Sequence, residues 1–410
     1  MLSFAEKLEN YARLAVENGV NVQKGQTLVI IAPISKAEFV RNLVEKAYRA
    51  GAKHVYVDWA DDHLTLTKFK MAPEEAFKDY PKWKARGREE LAKNGAAFLY
   101  LDCPNPDLLK DVDPRRMATY NKTARKALET FAEYQMADRV SWSIIAVPTK
   151  EWAKKVFPNE PEEAAVRKLW EHIFTMTRAD TENPVEAWQR HKETLTAKAA
   201  YLNDKQYKKF HYRAPGTDLT IEFPDNHVWA GASGTNDEGD DFLPNIPTEE
   251  VFTLPYKYGV NGTVASTKPL NYNGQVIEQL SVTFENGKII DFTAEKGYET
   301  FKKLIETDEG SRYLGEVALV PHQSPISQAG LIFFNTLFDE NASCHLAVGK
   351  AYPASLKGGT SMSRKELEEK GVNHSLTHVD FMIGCENLDI DGITSSGETE
   401  PIFRNGNWAF

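Results

Sequence analysis

Thr27-Leu-Val-Ile-Ile-Ala32, then Pro33-Ile-Ser-Lys36, a helical pattern over 36–50, Gly51 and His54-Val-Tyr-Val-Asp58 decide the fold of the first half of this chain. Thr27–Ala32 is a continuous apolar run, the pattern of a strand buried on both faces of a parallel sheet. Ala37, Val40, Leu43, Val44 and Ala47 recur at three- and four-residue steps, which is helical spacing. Gly51 stops that helix, and His54–Asp58 is a second strand candidate. Strand, helix and strand in succession make a β-α-β unit, with an expected right-handed crossover.

The same alternation extends on both sides. Residues 3–18 read as an amphipathic helix, with Phe4, Leu8, Tyr11, Leu14 and Ala15 on one side and Gly19 at its end. Ala96-Ala-Phe-Leu-Tyr-Leu101 is a third strand candidate, 115–136 a long helix, and Val140 to Val147 a fourth strand. Strands alternating with helices predict an α/β domain with an open, mostly parallel sheet. The turn Pro33–Lys36 has no glycine cluster to let backbone amides close around a phosphate, so a dinucleotide site is not expected. The fold alone supplies no function.

Residues 160–204 are mainly helical and charged and read as a connecting region. The character then changes. Tyr207 to Phe223 alternates around Pro215-Gly216, which predicts a hairpin. Short β segments follow near 249–255, 276–284, 288–293, 315–320, 343–348 and 376–383, with a helix starting near Ser327. The expected organisation is an α/β domain over 1–204, including the helical connection, and an α+β, β-rich domain over 205–410.

Composition narrows the function classes. The 410 residues, 41% of them hydrophobic, suffice for two cores. A formal charge of -10 argues against nucleic acid or an anionic membrane as partner, because both require clustered Lys and Arg. The three cysteines, Cys103, Cys344 and Cys385, are too few for a disulfide framework and fit a reducing compartment. No stretch reaches the ~18 apolar residues of a membrane span, and the N-terminal stretch lacks the pattern of a signal peptide. A soluble, cytoplasmic protein is expected.

The candidate chemistry lies in the second half. In Leu376-Thr-His-Val-Asp-Phe-Met-Ile-Gly384 a strand would turn His378 and Asp380 to one face. An imidazole and a carboxylate projecting together make half of a metal site, although such a pair also occurs as a structural hydrogen bond. His345 lies in Ser343-Cys-His-Leu-Ala-Val-Gly349, where it is either a ligand or a core histidine bonded to a backbone carbonyl. Glu316 interrupts the apolar run Tyr313–Val320, so a cation or strong donors are expected beside it. In Pro247-Thr-Glu-Glu-Val-Phe-Thr253, alternation pairs Glu250 with Phe252 and Glu249 with Val251, without saying which glutamate faces inward. Mixed carboxylate and imidazole donors suit a pair of divalent ions. A His-Glu-x-x-His zinc helix and a Gly-x-Ser-x-Gly elbow are both missing from the sequence.

Asn245-Ile-Pro-Thr-Glu-Glu-Val-Phe-Thr253, Gly262-Thr-Val-Ala-Ser-Thr-Lys-Pro-Leu270, Leu314-Gly-Glu-Val-Ala-Leu-Val320, His345-Leu-Ala-Val-Gly-Lys-Ala-Tyr-Pro353 and His378–Gly384 together resemble the thermophilic aminopeptidase family, which includes aminopeptidases T, S and PepS. Val22-Gln-Lys-Gly-Gln-Thr-Leu-Val29 and Trp152-Ala-Lys-Lys-Val-Phe-Pro158 extend the resemblance over the whole chain. It implies a metallo-aminopeptidase that hydrolyses the first bond of peptides with a free N-terminus. Two divalent metal ions per subunit, zinc or cobalt with manganese possible, would be held by Glu250, Glu316, His345, His378 and Asp380. Glu316 would bridge the ions and act in catalysis, with Tyr352 as a catalytic helper. The general base is left open among Glu316, Glu340 and Glu249. The resemblance further implies homodimers. Two readings compete: another two-metal hydrolase, such as an amidase or phosphoesterase, and a non-catalytic α/β ligand-binding protein. The acidic loop Asn236–Asp241 lacks EF-hand spacing and reads as solvated.

Overall fold

The computed structural model describes residues 2–272 and 275–410. The chain forms two compact units, Met1–Arg190 with Ser233–Pro247, and His191–Ala232 with Thr248–Phe410. One boundary at 204/205 does not capture this path. The helix Pro184–Lys205 runs across that position, and Ser233–Pro247 returns to the first unit.

The first unit is built on a five-stranded sheet. Its strands are β1 (Thr27–Pro33), β2 (His54–Ala60), β3 (Ala97–Asp102), β4 (Trp142–Ala146) and β5 (Asn245–Ile246). The order is β2-β1-β3-β4-β5, and every pairing is parallel. β1 and β3 are central and mostly buried, as continuous apolar runs require. The helix Ala37–Ala50 buries Phe39, Val40, Leu43 and Ala47, and Gly51 closes it at φ 102°, a left-handed conformation that favours glycine.

Several local readings differ from the structure, among them the single strand expected near 276–284, which is two strands in different sheets, Gln275–Ile277 and Ser281–Glu285. The predicted helix over 115–136 is two helices, Pro114–Ala127 and Glu129–Met136, separated at Leu128. Helices Asp62–Met71 and Lys82–Lys93 had no counterpart in the sequence reading. The first reads Leu-Thr-Leu-Thr at its centre, a period-two pattern, and buries only Phe69. It therefore lacks the apolar stripe that marks a helix. The helix expected from Ser327 is the short Pro325–Gln328.

The second unit carries an eight-stranded antiparallel sheet. In spatial order its strands are Lys288–Thr293, Ser281–Glu285, Val260–Ala265, Thr217–Glu222, Lys209–Ala214, Asp389–Ile393, Thr399–Arg404 and Asn407–Trp408. The expected hairpin is present, turning at Gly216 with φ 76°. Within this sheet the buried Asp391 accepts hydrogen bonds from the guanidinium groups of Arg213 and Arg404. Burial alone would raise its pKa, but the two arginines outweigh that and hold it below the ordinary carboxylate value. A depressed folded-state pKa means stability that is present above the unfolded value of ~3.9 and lost as pH falls below it. We expect Asp391→Ala to cost about 2–3 kcal/mol at pH 7, less than a fully buried pair because both arginines reach solvent. Urea unfolding at pH 7 and pH 3 checks this, with the difference between variant and wild type shrinking at the lower pH.

The same unit holds a four-stranded antiparallel sheet of β6 (Val251–Thr253), β7 (Leu314–Leu319), β8 (His345–Gly349) and β9 (His378–Met382), in that spatial order. β7 and β8 are buried along their whole length.

Candidate active site

Strand register brings five of the residues singled out above to one face of this sheet. Ala318 stands opposite both Phe252 and His345. Ala347 stands opposite both Glu316 and Asp380, and Gly349 opposite His378. Residues directly opposite share a face, so Glu316, His345, His378 and Asp380 project together. Glu250 lies two residues before Phe252 and joins them by alternation. The residues between them are small. Ala318, Ala347 and Gly349 leave the space above the sheet open.

One irregularity is essential to this arrangement. The register of β7 against β8 shifts between Leu314 and Glu316. The extra residue is Gly315, and a Cβ there would sit 2.3 Å from Lys350 O and 2.4 Å from Gly349 O. Only glycine fits this bulge. It lets Leu314 face the opposite side while Glu316 turns to the cluster.

Distances divide the cluster into two overlapping groups. His345 Nε2 is 3.1 Å from Glu250 Oε2 and 3.5 Å from Glu316 Oε1. His378 Nε2 is 3.7 Å from Glu316 Oε2 and 3.5 Å from Asp380 Oδ1. Glu316 thus belongs to both groups and offers a different oxygen to each. Both imidazoles are oriented from behind. His345 Nδ1 faces Ser343 O at 3.1 Å, and His378 Nδ1 faces Lys350 O at 2.7 Å. A proton on Nδ1 donated to a carbonyl leaves the Nε2 lone pair turned into the cluster, the form that ligates a metal.

Glu250 Oε2 and Asp380 Oδ1 are buried and accept no hydrogen bond among the described residues. Their neighbours are the Nε2 lone pairs, so a proton or a cation must lie between for the contact to be favourable. Without a cation the cluster holds protons. Burial, with repulsion from Asp380 and Glu250, raises the Glu316 pKa despite its bond to His345. Burial opposes charge on His345, but Glu250 and Glu316 push its pKa well above the ordinary value. Binding of cations would displace these protons. The donor set of three carboxylates and two imidazoles, with orphaned oxygens, fits two divalent ions.

The remaining candidates lie as follows. Tyr352 packs its ring against His378, with centroids 4.9 Å apart, and keeps 39% of its surface in solvent. Burial of its phenol and the nearby carboxylates, Glu316 foremost, raise its pKa, so it keeps its proton. Glu249 turns the other way. It is buried, its N–H donates to Asn341 Oδ1 at 2.8 Å, and its carboxylate lies 3.5 Å from His191 Nε2. Glu340 is outside both ligand groups but lines a cavity of about 200 Å³ together with His378 and Asp380. Burial and the charges of Glu250 and Asp380 raise its pKa well above the ordinary range. Cys344 points away from the cluster, its thiol donating to Val320 O at 3.3 Å. The acidic loop is a solvent-facing hairpin in which Asn236 Oδ1 accepts from the N–H groups of Glu238 and Asp240.

The cavity walls hold what the sequence reading missed. Leu270, Tyr272, Phe334, Asn335 and Asp339 line it opposite β9. Burial raises Asp339 to about 6 even though the N–H groups of Phe333 and Asn335 donate to it. No spacing rule links 270–272 to 334–340, so local pattern carried no signal for this wall.

The family described as thermophilic metalloprotease (M29) matches residues 4–408 of the chain. Aminopeptidase 2 of Geobacillus stearothermophilus is 58% identical over 410 residues, covering 100% of this chain and 99% of that protein. Aminopeptidase AmpS of Bacillus subtilis (strain 168) is 56% identical over 410 residues, with 100% of both covered. The structure of wild-type AmpT from Thermus thermophilus superposes with a TM-score of 0.93 at 40% identity over 100% of each chain. With the clustered metal-ligand donors and a match along nearly all its length, the chain belongs to the thermophilic metalloprotease (M29) family.

Proposed function

We propose that the protein is a metal-dependent aminopeptidase that removes the first residue from peptides with a free N-terminus. The observation that carries this is Glu316, whose two oxygens face two different histidines inside a cluster of five metal-ligand side chains. Relatives named as aminopeptidases at 58% and 56% identity support the same activity. Glu250 and His345 would hold one ion and His378 and Asp380 a second, with Glu316 shared. Zinc or cobalt suits these donors, and manganese is compatible. When bound, such ions make water nucleophilic near neutral pH and polarise a carbonyl.

The chain's own groups supply the rest. Tyr352 keeps its phenolic proton beside His378 and is the donor to an oxyanion developing on the scissile carbonyl. Glu340 lines the cavity at the cluster and takes the role of proton carrier between water and leaving amine. Glu249 is given no such role, because it faces His191. The cavity beside His378 and Asp380 receives the substrate's first residues. All seven proposed site residues lie after residue 205, which supports catalysis in the second half.

Peptides are the proposed partners. The charge of -10 speaks against nucleic acid, and among the described residues no helix is long and apolar enough to cross a membrane. Three free cysteines support a cytoplasmic location, and the family resemblance supports a homodimer.

The test is leucine release from a Leu-initiated peptide and from its N-acetylated twin. We expect release from the first alone, abolished by a chelator and restored by Co²⁺ or Zn²⁺. Equal cleavage of the acetylated peptide, or unchanged release after chelation, would reject the proposal.

A further inference from the structure

β9 is the last strand of its sheet, and among the described residues β8 is its only sheet neighbour. The pairing is His345 with Met382, Ala347 with Asp380 and Gly349 with His378. At its two ends Ile383 N–H donates to Cys344 O at 2.8 Å, and Lys350 N–H donates to Thr377 O at 2.7 Å. With those bonds in place, His378, Asp380 and Met382 are the non-hydrogen-bonded partners of β8. Their own N–H and C=O groups therefore point outward, away from the sheet. Met382 O is occupied by Thr267 N–H at 2.9 Å. Among the described residues nothing bonds the outward groups of His378 and Asp380.

The cavity is lined by His378, Val379 and Asp380 in succession. Consecutive side chains of a strand point to opposite faces. A cavity that touches all three reaches the strand at its edge, beside the unpaired backbone groups, and Leu270–Tyr272, which lies close to β9, forms its other wall. The unpaired groups lie directly beside the side chains of His378 and Asp380, which belong to the carboxylate–imidazole cluster. An unpaired strand edge is a template for another extended chain. Here the chain arriving at the cavity is the peptide itself.

We propose that the outer edge of β9 is a main-chain clamp, on which the substrate peptide lies as an added strand. The inference rests on the aminopeptidase reading and names how that site holds peptides irrespective of their side chains. His378 and Asp380 are two residues apart, a spacing of about 6.8 Å that matches alternate residues of an extended peptide. The first residue's carbonyl must turn toward the cluster to react. In an extended chain the third residue's N–H points the same way, onto the outward carbonyls of β9. Recognition through the backbone leaves the first side chain to the cavity walls at Leu270 and Phe334.

The experiment compares Leu-Ala-Ala-amide with Leu-Ala-lactamide, in which an ester oxygen replaces the third N–H. The α-amine and the scissile bond are identical. We expect kcat/KM to fall about tenfold for the ester, with leucine still the product. In parallel, the uncleaved analogue with a reduced first bond, Leu-ψ(CH2NH)-Ala-Ala-amide, should slow hydrogen exchange at the amides of His378 and Asp380. A kcat/KM within twofold for the two substrates, or unchanged exchange at saturating analogue, overturns the clamp and leaves the aminopeptidase intact. No leucine from either peptide with metal restored removes the clamp together with the reading on which it rests.

Discussion

Glu316→Gln is expected to lower kcat by on the order of 10³ or more while the protein stays folded. The side chain presents Oε1 to the His345 group and Oε2 to the His378 group. Glutamine keeps the shape but loses the charge and replaces one oxygen with an amide nitrogen, which cannot ligate a cation. Both proposed ion sites are damaged by one substitution. Metal assistance of this kind contributes several kcal/mol to a transition state, and each 1.36 kcal/mol is tenfold in rate. Stability should move the other way when metal is removed. In the cation-free protein burial, and then the charges of Asp380 and Glu250, raise the Glu316 pKa. A neutral isostere removes that repulsion, so with chelator present the variant should unfold at or above the wild-type temperature. Adding Co²⁺ or Zn²⁺ should raise the wild-type midpoint by binding linkage and the variant's much less. Three measurements check this: steady-state kinetics, bound metal per chain, and thermal unfolding with and without chelator. Near-normal turnover would sink the shared-carboxylate mechanism.

The second large effect is expected at Glu340. Glu340→Gln should reduce kcat by about 10²–10⁴, the usual contribution of a positioned acid or base, and leave the bound metal unchanged. The reasoning is positional. Glu340 lines the cavity with His378 and Asp380, yet it is outside both groups of converging ligand atoms. A side chain at the rim of the cluster can carry a proton without being needed to retain the ions. KM should change little, because the carboxyl is not required for the backbone contacts proposed on β9. Metal analysis decides the outcome. Loss of an ion together with activity would make Glu340 a ligand instead of a proton carrier, and unchanged kcat would assign the proton to another group.

Much of this protein is local in origin. The continuous apolar run Thr27–Ala32 marks a central parallel strand because its pattern requires burial on both faces. The period-two pattern puts His378 beside Asp380, and Glu250 beside Phe252, wherever those strands pack. Glu316 stands out because an acid amid Leu, Val and Ala has to meet something polar. These are properties of a few adjacent residues, so they are legible in one dimension. Asp62–Met71 shows the limit, since a helix with one buried side chain carries no stripe to read.

Pairing between distant strands is a different kind of fact. Alternation relates Glu249 and Glu250 to opposite faces, but only the register of β6 on β7 decides that Glu250 shares the face of His345. The bulge at Gly315, which turns Glu316 inward, exists because the backbone carbonyls of Lys350 and Gly349 come within a Cβ's reach. Residues 34 and 35 positions away in the chain supply the reason, as the numbering 315, 349 and 350 shows. The edge position of β9 among the described residues likewise follows from its place as the last strand of the sheet. From the sequence alone came the strands that carry Glu316, His345 and His378, the face-sharing pairs and the candidate donors, because side-chain direction repeats every two residues; Val260–Ala265, Asp389–Ile393 and Thr399–Arg404 of the larger sheet were not read. The tertiary structure alone decided which faces meet, how Glu316 divides its oxygens and where the cavity beside His378 and Asp380 lies, because those depend on contacts that sequence spacing does not encode.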